Sequence, residues 1–376
     1  MRQLFNLVLI TSACILAFAC TNESTTSDCD SEDTERETPE DSDREEGLRF
    51  PGSFDSIGPE VLAFESESER IIHYIDEGDA SWTPFVFVGG NGTSVRVFAI
   101  TEFVRSLRES LKIRIISVQR NGFGDTVLDT SHGYADFAAE TEELLNHLGI
   151  DSYGVVAISG GGPYANELVA RNAAKVTSVH MASAFSHQFD GESGTMDIVC
   201  GLPVEALPEF CTAFSHSPKN WFTFAPDSSI HAVPGLQSQA LDDAARTFFM
   251  GDQMGAPDAL VHEFNLYCNE PLTPVDLDQL NAPVFIYAGK ADATVAIAHT
   301  QQWQTQFGDK VSRTRLYEGE GHDSQYRHWD QILLDMAGYG DTTLVCQNGE
   351  HQMLSDSEAE TALEAGATIG LCAWQN

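Results

Sequence analysis

Positive charge is what this chain of 376 residues has least of. Twenty Lys and Arg residues, only five of them lysine, stand against 57 Asp and Glu, for a formal charge of −37. A polyanion of this kind repels nucleic acid and anionic membrane surfaces, so neither is expected as a partner. Metal-binding spacing is also missing. None of the eight cysteines forms a Cys-x-x-Cys pair, and the set Cys346, His351 and Cys372 lacks a fourth ligand, so no metal is expected. The glycine-rich stretch Val88-Gly89-Gly90-Asn91-Gly92 is not followed by Lys-Ser or Lys-Thr, which excludes a phosphate-binding loop of the nucleotide type. No cofactor is expected.

The N-terminus reads as an export signal. Arg2 precedes an apolar core from Leu4 to Phe18, too short and too closely followed by acid for a membrane span. The core ends Leu16-Ala17-Phe18-Ala19-Cys20, small residues before a cysteine, as in a bacterial lipobox. Residues 21–46 then hold twelve acidic and two basic residues and almost nothing apolar, a composition that buries no core. The expected organisation is a signal peptide over 1–19, an acidic tether over 20–47, a main domain over 48–339 and a small module over 340–376. Cys20 is the lipidation candidate. The protein is expected to be exported and anchored by lipid at the bacterial cell envelope, with a periplasmic or secreted form as the alternative. An oxidising compartment permits disulfides. Without Cys14 and Cys20, six cysteines remain, which allow fifteen pairings. Two pairs are expected: Cys346 with Cys372, closing a short C-terminal loop worth about 3 kcal/mol, and Cys200 with Cys211, stapling a Pro-rich segment.

From about residue 60 the pattern alternates strand and helix. Apolar runs at Arg70–Ile75, Phe85–Val88, Ile113–Val118, Gly154–Ile158, Val176–Met181, Val284–Ala288 and Thr314–Tyr317 predict strands. Val97–Leu111, Tyr134–Leu148 and Gln325–Met336 predict helices. The fold class this implies is α/β, with a mostly parallel, doubly wound sheet covered on both faces. The rhythm breaks over about 186–278, where prolines surround the helix-like runs Gln239–Met250 and Pro257–Tyr267. That stretch reads as a helical lid inserted over the carboxyl ends of the strands. Its aromatics, Phe185, Trp221 and Phe264 among them, read chiefly as the lid's own core, which leaves the substrate unnamed.

The chemistry concentrates at Ala157-Ile158-Ser159-Gly160-Gly161, between a buried strand and a helix start. A serine there sits in a turn so tight that its neighbours must be tiny, and its hydroxyl faces a helix N-terminus. This is the nucleophile-elbow pattern with Ala157 in place of the first glycine. A serine nucleophile needs a base, and the base needs an anion. Asp292 follows the strand Val284–Ala288, and His322 lies on the Gly-rich loop after Thr314–Tyr317, in the order Ser159, Asp292, His322. Rivals are His328, placed in a helix-like run as a surface residue, Asp323 beside His322, and Asp190 as a stand-in acid. Two backbone N–H donors are needed for an oxyanion, and Gly160 and Asn91 are the candidates.

Four motifs together carry a resemblance: Gly89-Gly90-Asn91, Arg120-Asn121-Gly122-Phe123-Gly124, Ser159 to Tyr164, and Gly289-Lys290-Ala291-Asp292 with Gly321-His322. Residues 60 to 338 resemble the α/β-hydrolase family, in its serine-nucleophile branch with a helical lid. Two departures stand beside the site: Gly89 where the family commonly has histidine, and Gln119-Arg120-Asn121-Gly122 where it has Asp-Arg-Pro-Gly. Relatives that open epoxides or displace halide use a carboxylate where this chain has Ser159. The resemblance therefore implies cleavage of a carboxylic ester through an acyl-enzyme, with a small-molecule ester as the partner. C–C bond hydrolysis or perhydrolysis on the same three residues is an alternative, and a non-catalytic surface scaffold is another. The negative charge favours neutral or cationic esters over anionic ones.

Overall fold

The computed structural model describes residues 47–51, 59–187, 194–216 and 257–374. The expected leader, the expected acidic tether up to residue 46, Cys20, Asp190 and the predicted helix Gln239–Met250 lie outside these residues.

Eight strands form one sheet: β1 (Leu62–Glu65), β2 (Ile71–Glu77), β3 (Thr83–Val88), β4 (Ile113–Val118), β5 (Tyr153–Ile158), β6 (Val176–Ala182), β7 (Val284–Gly289) and β8 (Val311–Tyr317). Their order is β1-β2-β4-β3-β5-β6-β7-β8. β1 and β2 pair antiparallel, as do β2 and β4, and every later pair is parallel. Every residue of β4, β5 and β7 is buried, which is why β5 and β7 read as nearly continuous apolar runs, while β4 also buries Arg114 and Ser117. The seven expected strands are all present. β1 was not expected: four half-covered residues at a sheet edge carry too little pattern.

Alternation along the strands divides the core into two layers. Val86, Val88, Val155 and Ala157 face one side, where the helices Tyr134–His147, Gly162–Asn172 and Ile297–Phe307 pack. Phe85, Phe87, Val156 and Ile158 face the other, against residues 95–107 and the helix Trp329–Met336. The helix Tyr134–His147 stops where Gly149 adopts φ +69°. Ile150 N–H then donates to the Leu145 carbonyl at 2.8 Å and Gly149 N–H to that of Asn146 at 3.1 Å, a Schellman closure. The expected helix Val97–Leu111 is instead a 3-10 helix, Val95–Val104, running into an α-helix, Arg105–Ser110. Nearly all of its first ten residues are buried, so it has no polar face to give it an amphipathic stripe. The expected helix Gln325–Met336 divides at His328 into Ser324–Arg327 and Trp329–Met336.

Between β6 and β7 the helices Thr195–Cys200, Leu207–His216 and Pro257–Asn269 are described. The expected Cys200–Cys211 bridge is not formed: Cys200 is bonded to Cys268, 68 residues away. Cys211 is a free thiol with no exposed surface, and burial, then the nearby Glu263 carboxylate, push it up to about 12. The packing of the helix carrying Cys268 against the one ending at Cys200 decided the pairing, and neighbourhood in sequence did not.

The C-terminal segment is a separate three-stranded antiparallel sheet, β9 (Thr342–Gln347), β10 (Glu350–Ser355) and β11 (Thr368–Ile369), in the order β10-β9-β11. Asn348 and Gly349, at φ +55° and +81°, make the two-residue turn between β9 and β10. The Cys346–Cys372 disulfide is formed as expected. The segment is bound to the helix Trp329–Met336 through buried groups. Gln331 accepts the Leu344 N–H at 2.7 Å, Asp330 accepts that of Leu371 at 3.0 Å, and both leucines lie in the second core layer.

Candidate active site

In this strand order β3 sits between β4 and β5, so the loops leaving β3 and β5 are neighbours at the carboxyl ends of the strands. That is where open α/β sheets hold their sites. The β5 loop carries Ser159 and the β3 loop carries residues 89–93.

Ser159 holds φ +48°, a left-handed conformation costly for a residue with a side chain. Close contacts on three sides require it to be followed by glycines. A Cβ on Gly160 would lie 2.5 Å from the Tyr267 hydroxyl, and one on Gly161 would run into the Val88 and Gly89 carbonyls. A Cβ on Gly162 would collide with the Phe185 carbonyl. Ala157 takes the place of the usual first glycine and is fully buried in the first core layer, so its methyl group is accommodated there.

The three residues expected to act together meet. His322 Nε2 lies 2.9 Å from Ser159 Oγ, and His322 Nδ1 lies 2.9 Å from Asp292 Oδ2. The carboxylate fixes the tautomer: Nδ1–H donates to Asp292, which leaves Nε2 as the acceptor facing the serine hydroxyl. The other oxygen of Asp292 accepts the N–H groups of Thr294 and Val295, each at 2.8 Å, so its orientation is set by its own loop. The loops after β7 and β8 are joined by backbone bonds from Lys290 N–H to the Tyr317 carbonyl and from Ala291 N–H to the Glu320 carbonyl, both 2.9 Å. Those bonds hold Asp292 and His322 at one height above the sheet.

The rival residues are accounted for differently. Asp323 follows His322, but it is Asp292 that meets the imidazole. His328 is not the surface residue expected from its helix-like setting. It is 2% exposed, its ring lies 3.6 Å from that of Tyr317, and its Nε2 meets Glu320 at 2.8 Å. The break between the two short helices turns it inward. Burial pushes the Glu320 carboxyl up, but His328 and Arg327 beside it outweigh that and hold it below the usual range.

The two candidate donors also converge. A Cβ on Gly160 would fall 2.8 Å from the Asn91 backbone nitrogen, and one on Gly90 would fall 3.3 Å from Ser159 Cβ. The Asn91 amide nitrogen therefore lies beside Gly160, and Gly90 lies against the serine side chain. Sequence reasoning missed what holds this loop. Glu263, on the helix Pro257–Asn269, accepts the Gly92 N–H at 2.7 Å and pairs with Arg120 at 3.1 Å. Both side chains are at least 97% buried, Glu263 being 1% and Arg120 3% exposed. Burial alone would lower the Arg120 guanidinium, but Glu263 and the neighbouring tyrosines raise it on balance. Tyr267, one turn after Glu263, donates from its hydroxyl to the Gly160 carbonyl at 2.8 Å. Arg120 stood in a motif that was recognised; nothing near Glu263 or Tyr267 in sequence marked them.

No protein-family model matches the chain. Over 133 residues, 34% of this chain, it is 28% identical to haloalkane dehalogenase 2 of Mycobacterium tuberculosis and of Mycobacterium bovis, spanning 44% of their length. Among solved structures it is similar to an esterase from Exiguobacterium antarcticum, with 17% identity, a TM-score of 0.54 and coverage of 74% of this chain and 98% of that one. It is also similar to a bromoperoxidase from Bacillus anthracis, with 18% identity, a TM-score of 0.55 and coverage of 74% and 100%. The sheet order and these likenesses together give the chain the α/β-hydrolase fold.

Proposed function

We propose that the protein is a serine hydrolase that cleaves a carboxylic ester through an acyl-enzyme. The observation that carries this reading is the single imidazole of His322 set 2.9 Å from both the Ser159 hydroxyl and the Asp292 carboxylate. His322 Nε2 takes the Ser159 proton as Oγ attacks the ester carbonyl. The Asp292 carboxylate stabilises the imidazolium that results. The N–H groups of Gly160 and Asn91 receive the oxyanion, His322 returns the proton to the leaving alcohol, and the same base then activates water to free the acid. Serine also argues against the halide displacement named for the dehalogenases. Alkylation of a serine would leave an ether, which water does not readily cleave, whereas acylation leaves an ester, which it does.

Around this centre, the helices between β6 and β7 act as a lid over the site, and the substrate is a small neutral or cationic ester. Export and anchoring through Cys20 place the enzyme at the cell envelope, with lipid as its sole contact to a membrane. The test is hydrolysis of p-nitrophenyl esters of increasing acyl length by the mature protein and by Ser159→Ala. Turnover that disappears in the variant supports the reading. A wild type inactive on every ester and unlabelled by a fluorophosphonate overturns it in favour of the scaffold.

A further inference from the structure

We propose that Arg120 and Glu263 are positioning residues of the acyl-transfer step: as one buried ion pair they pin Asn91 from both sides and aim its N–H at the oxyanion. The proposal rests on the acyl-transfer reading of Ser159.

The geometry is that of peptide planes. The Asn91 N–H belongs to the same planar trans unit as the Gly90 carbonyl, so whatever grips that carbonyl points the N–H the opposite way. Arg120 Nη2 donates to the Gly90 carbonyl, and to the Thr93 carbonyl at 3.2 Å. On the other side of Asn91, the Gly92 N–H donates to Glu263 Oε2 at 2.7 Å. The second oxygen of that carboxylate lies 3.1 Å from Arg120 Nη1 and so orients the guanidinium. Both peptides that flank Asn91 are thereby held by one charge pair, with the Thr93 hydroxyl as a second donor to the Gly90 carbonyl at 2.7 Å. The guanidinium lies 5.2 Å from the centre of the Tyr164 ring, which confines it further. A charged donor on the Gly90 carbonyl also polarises the peptide and strengthens its N–H as a donor.

The other half of the oxyanion hole is held without this pair. The Ser159 carbonyl shares its plane with the Gly160 N–H and accepts from the Phe185 N–H at 2.8 Å. The two donors are therefore secured differently, one by the main chain after β6 and one by side chains, of which Glu263 comes from the insertion between β6 and β7. An inert structural pair would have no reason to act on peptides next to the serine, and its loss would change stability alone.

Arg120→Lys keeps the charge opposite Glu263 but replaces a fork with a single ammonium, which cannot serve Gly90, Thr93 and Glu263 together. Its kcat on a p-nitrophenyl ester is expected to fall about 100-fold, the scale of losing one oxyanion donor, with KM within about twofold. Affinity for phenylboronic acid, whose tetrahedral adduct on Ser159 needs the same N–H, should fall by a similar factor. Glu263→Gln retains an oxygen for the Gly92 N–H but loses the charge opposite Arg120, so its kcat and boronate affinity should fall by about tenfold; this variant carries the test if Arg120→Lys does not fold. A folded variant with wild-type kcat and boronate affinity, whatever its melting temperature, overturns the proposal. A wild type that neither turns over esters nor binds the boronate overturns the acyl-transfer reading, and the proposal with it.

Discussion

Among the described residues, two chains of contacts run from a serine through a histidine toward a carboxylate, and they are built differently. At the carboxyl ends of the strands, Ser159, His322 and Asp292 are linked by two contacts of 2.9 Å. On the second face of the sheet, Ser178 Oγ meets His180 Nε2 at 3.0 Å, and His180 Nδ1 meets the Tyr287 hydroxyl at 2.9 Å. Tyr287 in turn donates to Asp335 at 2.9 Å. Connectivity alone would not separate them. Ser178 lies within β6, an extended strand, whereas Ser159 is forced to φ +48° at the head of a helix. The carboxylate differs too. Asp292 touches its imidazole directly, while Asp335 is screened from His180 by a phenol and is already held by Arg315 at 2.7 Å. His180 has no exposed surface, its ring stacks on Phe285, and burial lowers it to about 3. An imidazole that resists protonation is a poor base. The second chain fills a sheet interior with satisfied polar groups, and the first leaves one acceptor aimed at a hydroxyl.

The largest expected effects test this contrast directly. Ser159→Ala should abolish ester turnover by a factor on the order of a million, while Ser178→Ala should leave it within about twofold; initial rates on one p-nitrophenyl ester decide, and an equal loss in both would collapse the distinction. Asp292→Asn should lower kcat by about ten-thousand-fold through the wrong tautomer, whereas Tyr287→Phe, which cuts the link between His180 and Asp335, should leave kcat unchanged.

Stability should respond the other way round. The folded His180 binds its proton far more weakly than the unfolded one, so its contribution is complete above about pH 6.5 and is lost as pH falls toward about 3. The urea midpoint of the wild type should drop over that window by the equivalent of about 4 kcal/mol. His180→Gln should be less stable at pH 7 yet show a flatter decline, and an identical slope would remove His180 from the account. Smallest is Tyr287→Phe, which should cost about 1 to 2 kcal/mol in the same measurement at pH 7.

How much of this was readable depended on how local each signal is. Ser159, Asp292 and His322 each stand just past an apolar run, so their placement at strand ends could be read one at a time. Their rough coplanarity then follows from parallel strands that end at the same level. Glu263 carries no such mark, because the groups it serves lie 171 residues earlier at Gly92 and around Arg120. The Cys200–Cys211 expectation failed for the same reason: a short loop was preferred where helix packing brought Cys268 alongside. His328 was misjudged because a helix-like pattern hid the break that turns it inward. The Asn348-Gly349 turn was legible in principle, since that dipeptide between two half-buried runs is a strong hairpin signal.

Neighbouring residues alone mark the strands of the parallel sheet, the tight turn at Ser159, and the strand-end loops that carry Asp292 and His322. Apolar periodicity, a run of small residues and strand-end loops are properties of neighbouring residues. Tertiary structure decided which cysteines join, which histidine meets Ser159, and which charges are sealed beside it. Those outcomes depend on contacts between segments far apart in the chain. Desolvation makes such contacts decisive, because a buried carboxylate such as Glu263 persists only where the fold brings it a guanidinium and an N–H.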